Sequence, residues 1–131
     1  MSQSEMFAAF DHLKALLDKC KQENNPHKQL CHMQALKTFL VAYVIQQNTI
    51  AHQMRSGTVV EGELEEEIIA KCADCAGDSQ KLAQKLHKLL KQYEDEKGVD
   101  SMEFRAKASQ LINKFDKNLN KFREVMTRAA A

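Results

Sequence analysis

The sequence predicts an all-α protein, an antiparallel up-down-up-down four-helix bundle with a long helix 3–helix 4 hairpin. Three observations predict it. Apolar residues recur at alternating spacings of four and three through four segments, the period of one face of an α-helix. Each segment opens on capping chemistry. Ser2-x-x-Glu5, Thr58-x-x-Glu61 and Asp100-x-x-Glu103 fit capping boxes, and Asn25-Pro26 sets an N-cap before a proline at the first helical position. Finally, four Gly, one Pro and no Trp argue against a turn-rich β fold.

Helix 1 is predicted over Gln3–Gln22. Met6, Phe10, Leu13, Leu17 and Cys20 make one apolar face, and Glu23-Asn24-Asn25 is a turn signal. Helix 2 is predicted over Pro26–Arg55, stopped by Ser56-Gly57. Its stripe of Met33, Leu36, Leu40, Tyr43, Ile50 and Met54 is widened by Phe39, Val41, Val44 and Ile45. An apolar middle running almost all round marks it as the most buried helix of the set.

Helix 3 is predicted over Val59–Lys97. Glu61, Glu63, Glu65, Glu66 and Glu67 crowd its first turns and Lys85, Lys88 and Lys91 its later ones, which complements the helix dipole. Ile68, Cys72, Cys75, Ser79, Leu82, Leu86, Leu89 and Tyr93 hold their phase across Gly77, so one continuous helix is expected there, with room for a local bend. Gly98 fits a position just past a helix end. Helix 4 is predicted over Ser101–Arg128, with Phe104, Ala108, Leu111, Phe115, Phe122 and Val125 as its seam. Short turns between helices make neighbours antiparallel.

At 1.5 Å per residue, helix 3 would be ~58 Å long and helix 1 ~30 Å. The tip of the helix 3–helix 4 hairpin, Glu94 to Gly98, is therefore expected to project, leaving Leu89, Leu90 and Tyr93 below it without cover. Exposed apolar area of that kind marks a partner site. The other reading is that helix 3 bends or frays and the ends match.

A chain of 131 residues, 44% hydrophobic and 28% charged, is expected to fold as one domain, residues 1–131. Its net charge of +1 is unevenly spread: +2 over residues 1–57, −4 over 58–98 and +3 over 99–131. The N-terminus lacks the basic-then-apolar order of a secretory signal, and the run from Phe39 to Ile45 is too short to span a bilayer. A cytoplasmic or nuclear protein is expected, with its four Cys as free thiols.

Cys72-x-x-Cys75 is the first candidate for chemistry. A redox pair sits at a helix N-terminus, where its thiolate is stabilised. This pair falls mid-helix and in phase with the core, so it reads as packing. Antiparallel pairing would set Cys72 level with Ala42 to Val44, about ten residues or ~15 Å from Cys31, too far to share a metal. A first-turn set of Cys20, His27, Cys31 and His32 is the remaining metal candidate, against the alternative of one core thiol and three surface groups. No Glu-x-x-His, phosphate loop, His-Glu-x-x-His or nucleophile motif occurs. No catalytic residue, metal or cofactor is expected.

Lys107, Lys114, Lys121 and Arg128 are spaced by seven, with Lys117 close by, and make a basic edge on helix 4. The edge either attracts phosphate, acidic headgroups or an acidic partner helix, or it pairs with the acidic start of helix 3. No aromatic interleaves there. Gln47, Ser79 and Asn118 interrupt the apolar stripes, either as register-setting groups inside the bundle or as residues at its margin.

Residues 79–126, from Ser79-Gln80-Lys81-Leu82 through Leu111, Phe115, Leu119, Phe122 and Val125, resemble the last two helices of a syntaxin N-terminal regulatory domain. That likeness covers under half of the chain and implies a role in vesicle trafficking. The reading preferred from the residues themselves is a non-enzymatic helical interaction module, a small subunit or adaptor of a larger assembly. It would dock a protein partner helix to helix near the hairpin tip or along helices 1 and 4, through Leu89, Leu90, Tyr93, Lys107, Lys114, Lys121 and Arg128. A basic surface for nucleic acid or anionic membrane is the alternative, and a homodimer is open.

Overall fold

Four helices form in the computed structural model: α1 (Gln3–Gln22), α2 (Pro26–Ser56), α3 (Glu66–Gln92) and α4 (Met102–Ala130). It describes residues 3–56 and 66–130. The Ser2 and Thr58 capping boxes, the Gly57 stop, Glu61, Glu63, Glu65 and the side chain of Met6 lie outside the described residues. Each helix packs on two neighbours, in the order α1–α2–α3–α4 and back to α1. The fold is an all-α up-down-up-down bundle.

Asn25 opens α2 as the sequence predicts. Its Oδ1 accepts from the amides of His27 at 2.9 Å and Lys28 at 3.2 Å, satisfying two free donors of the first turn. At α4 the cap falls one residue later than predicted. Ser101 Oγ, not the Asp100 carboxylate, accepts from the Phe104 amide at 3.2 Å. The turn before it accounts for the slip: Glu96 and Gly98 take positive φ, and the Ser101 amide bonds the Gly98 carbonyl at 3.0 Å. Asp100 is left to face His27 Nε2 at 3.4 Å.

The same turn corrects the predicted hairpin. α3 ends at Gln92 rather than Lys97. Tyr93 then turns inward, edge-on to Phe104 at 4.8 Å, and Val99 is fully buried behind it. His27 also meets Glu96 at 3.4 Å, and Arg105 donates to the Glu23 carbonyl at 3.4 Å. The two turns at this end of the bundle meet, and the hairpin does not project. α3 is continuous through Gly77, where a Cβ would meet nothing within 4 Å.

The core is tied at one level by three rings. Phe10 of α1, Tyr43 of α2 and Phe122 of α4 stand edge to face, with centroids 5.5 to 6.5 Å apart. Fully burying a side chain of this size stabilises by about 1.5–3 kcal/mol, and edge-to-face pairs add to it. Outside this layer α1 is held to α4 by charge. Asp116 accepts from Lys14 at 2.7 Å and Lys21 at 2.6 Å, and Arg123 bonds Asp11 at 2.8 Å. Burial pulls the Asp116 carboxyl upward, but the two ammonium groups together outweigh it and hold the carboxyl below its usual range.

Gln47, Ser79 and Asn118 lie inside the bundle, which settles where these interruptions belong. Ser79 Oγ donates to Gln47 Oε1, and Gln47 Nε2 donates to Tyr43 Oη at 2.7 Å and Asn118 Oδ1 at 3.1 Å. Tyr43 Oη donates to the same Asn118 oxygen at 3.2 Å, and Asn118 Nδ2 donates to the Cys75 carbonyl at 2.9 Å. One network thus joins α2, α3 and α4.

Its register also revises the height of the cysteines. Gln47 is level with Ser79, so Cys72 is level with Met54 rather than Ala42 to Val44. That puts Cys72 even further from Cys31, about 23 residues or ~35 Å along the axis.

Two outcomes follow for stability. Gly77→Ala, exposed and without steric conflict, stabilises the protein by about 1 kcal/mol in urea unfolding. Asn118→Ala strips partners from Tyr43, Gln47 and the Cys75 carbonyl, and lowers stability by about 3 kcal/mol in the same measurement.

Candidate interaction surface

The hairpin residues named from sequence do not form an open patch. Leu89, Leu90 and Tyr93 are 4%, 7% and 4% exposed, because α3 ends early and the two turns close over them. Apolar exposure appears instead on α2, predicted to be the most buried helix. Phe39, Val41 and Ile45 are 44%, 49% and 60% exposed. A helix that touches two neighbours in a four-membered ring keeps an outer face, whatever residues occupy it.

The basic edge of α4 divides by its partners. Arg128 faces Glu67 at 4.0 Å, as antiparallel packing requires, and Lys107 pairs with Glu103 one turn away at 2.9 Å. Lys114, Lys117 and Lys121 have no carboxylate within salt-bridge distance among the described residues. Among the described residues, the middle of the edge therefore does not pair with the start of α3.

Those lysines border a trough between α3 and α4. One part, about 330 Å³, is lined by Lys81, Lys85, Lys114, Lys117 and Lys121 with Leu82, Asn118 and a single carboxylate, Asp78. The next part, about 220 Å³, is lined by Lys85, Lys88, Lys107 and Lys114 with Leu89, Leu111, Gln92 and Gln110. Lys85 and Lys114 line both, so the two parts adjoin. Its floor is the edge of the core, Leu82, Leu89 and Leu111, and its rims are lysine.

Lys81, Lys85 and Lys88 are the functional candidates that sequence reading missed. The helix dipole already gives Lys85 and Lys88 a reason to be there, and no local signal sets Lys81 against the α4 edge. The sequence does place the three in one row: 81, 85 and 88 keep a four-three spacing of their own, on the flank of the stripe that carries Leu82 and Leu89.

Cys20, Cys72 and Cys75 are buried, and burial pushes each thiol up to about 11. Burial also raises the Tyr43 phenol. Cys31 is exposed. His27 turns to Glu96 and Asp100, and these carboxylates raise its pKa, the Glu96 bond first. His32 turns to Glu23 at 3.2 Å. The first-turn set is thus dispersed, and among the described residues no three His, Cys, Asp or Glu side chains gather as metal ligands. Among those residues no helix is long and apolar enough to cross a membrane. The chain matches no protein-family model, no curated protein and no solved structure.

Thiol chemistry checks this arrangement. In native protein near neutral pH, a disulfide reagent titrates Cys31 at once and the three buried thiols only after denaturant is added. Stability carries the same signature. The buried thiols stay protonated in the folded chain while the unfolded chain ionises near pH 8.5–9. Their contribution is complete below that pH, and it declines as pH rises through 9 toward about 11. Urea midpoints measured from pH 7 to 10.5 are expected to fall over the upper part of that range.

Proposed function

We propose that the protein is a non-enzymatic helical interaction module, an adaptor or small subunit working in the cytoplasm or nucleus, and that its α3–α4 trough docks an acidic amphipathic helix of a protein partner. One observation supports this reading most: lysines from two helices converge, mostly without carboxylate partners, over a floor of leucines. Clustered like charges destabilise a helix surface by a few tenths of a kcal/mol per pair, a cost that a role outside the fold would offset. An incoming helix with carboxylates on its flanks and a narrow apolar face would satisfy rims and floor together.

Nucleic acid fits less well. The trough has no aromatic side chain for base stacking, and its leucine floor offers nothing to a phosphate backbone. The spacing that residues 79–126 share with a syntaxin regulatory domain is that of any antiparallel helix pair, so it does not help choose the partner.

The test is a titration with a labelled helical peptide carrying Glu flanks and a leucine stripe, beside single-stranded RNA and anionic vesicles, over a range of salt. The peptide is expected to bind with an affinity that weakens as salt rises, and Lys85→Glu/Lys114→Glu to reduce it at least tenfold. Binding to RNA or vesicles with none to the peptide would reject the protein partner. The neutral pair Lys114→Gln/Lys117→Gln is expected to weaken peptide binding while raising stability at low salt by a few tenths of a kcal/mol, a gain that added salt removes.

A further inference from the structure

From Thr38 to Met54, 17 consecutive residues of α2, there is no Asp, Glu, Lys or Arg, in a chain that is 28% charged overall. One side of this stretch builds the core. The opposite side, at 35, 38, 42, 45, 49 and 52, is exposed at every position and repeats the four-three spacing. Two helical stripes therefore run back to back on α2, and only one is covered within the chain. Of the four large hydrophobic residues that stand exposed among the described residues, three are on α2: Ile45 in the outer stripe, Val41 on its flank, and Phe39, which stands edge-on to His12 of α1 at 4.6 Å.

The outer stripe is self-complementary when reversed. Let α2 face a second α2 running antiparallel, with a two-fold axis level with Tyr43 and Val44. Ala42 then meets Ile45 of the second copy, Thr38 meets Thr49, and Ala35 meets His52. Every layer sums to the same register, and two of the three set an alanine against a larger side chain. Small residues in each layer let two helices approach closely, and isologous contacts of this kind close on themselves. At the flanks Val41 comes opposite Asn48, and Gln34 opposite Arg55, so no like charges are brought together. An acidic or basic partner helix would find no complementary charge along the stripe, whereas a second copy does not need any.

We propose that α2 is a homodimer interface, packing antiparallel on α2 of a second copy through the stripe from Ala35 to His52. The seam is ~26 Å long and covers on the order of 1,000 Å² in total, the low end for a specific interface, so the dimer dissociates on dilution. It shares no residue with the α3–α4 trough and stands or falls apart from the partner proposed there.

Sedimentation equilibrium of the full chain from about 5 to 500 µM tests it. The mass is expected to rise from 14.9 kDa toward twice that value. Ile45→Glu and Ala42→Lys, both at exposed positions, are each expected to stay helical by circular dichroism and to remain monomeric. Mixing the two should restore the dimer, because the antiparallel register sets position 45 of one chain against position 42 of the other. A wild-type monomer at every concentration would overturn the proposal. So would a dimer indifferent to Ile45→Glu, or a mixture that stays monomeric.

Discussion

The buried hydrogen-bond network of Tyr43, Gln47, Ser79 and Asn118 fixes how three of the four helices align. Apolar stripes can slide by a turn with little loss, because one leucine layer resembles the next. Amides and hydroxyls cannot, since each must find its partner or forfeit its desolvation cost. Here a glutamine bridges a tyrosine, a serine and an asparagine, and the asparagine reaches a backbone carbonyl. Sliding α3 or α4 by one turn would break most of these bonds at once. The aromatic layer of Phe10, Tyr43 and Phe122 stands beside the network and ties α1 into the same register.

The surface inherits that alignment. With Asn118 held against Cys75, the lysines of α3 and α4 come to opposite rims of one trough instead of facing separate patches of solvent. With Gln47 held against Ser79, the core stripe of α2 is turned fully inward and its second stripe fully outward. Both candidate surfaces are thus consequences of buried polar groups, of which Asn118 alone also lines one of them, the trough. At the turn end, His27, Glu96 and Arg105 close the bundle and remove the exposure that a longer α3 would have produced.

Much of the fold was legible because its signals are local. The limits of α1 and the cap at Asn25 follow from side chains within a few residues of each end, and continuity through Gly77 follows from phase. What escaped needed contacts between helices. Tyr93 looks like one more stripe residue until Phe104 is placed beside it, and only then does α3 end at Gln92. Val41 and Ile45 look like core until the number of neighbours around α2 is known. The trough was half legible: the α4 lysines announce an edge, but the α3 lysines already had an explanation, and nothing local says that the two rows face each other.

The most direct test is to replace the network with apolar groups of similar shape, Tyr43→Phe, Gln47→Leu, Ser79→Ala and Asn118→Leu together. Such replacements commonly leave stability intact while the polar specification is lost. The variant is expected to unfold within a few degrees of the parent, and its amide nuclear magnetic resonance spectrum to split into more than one set of peaks as helices occupy alternative registers. A single set of peaks with the parent's interhelical contacts would contradict the account, because packing alone would then suffice to align α2, α3 and α4.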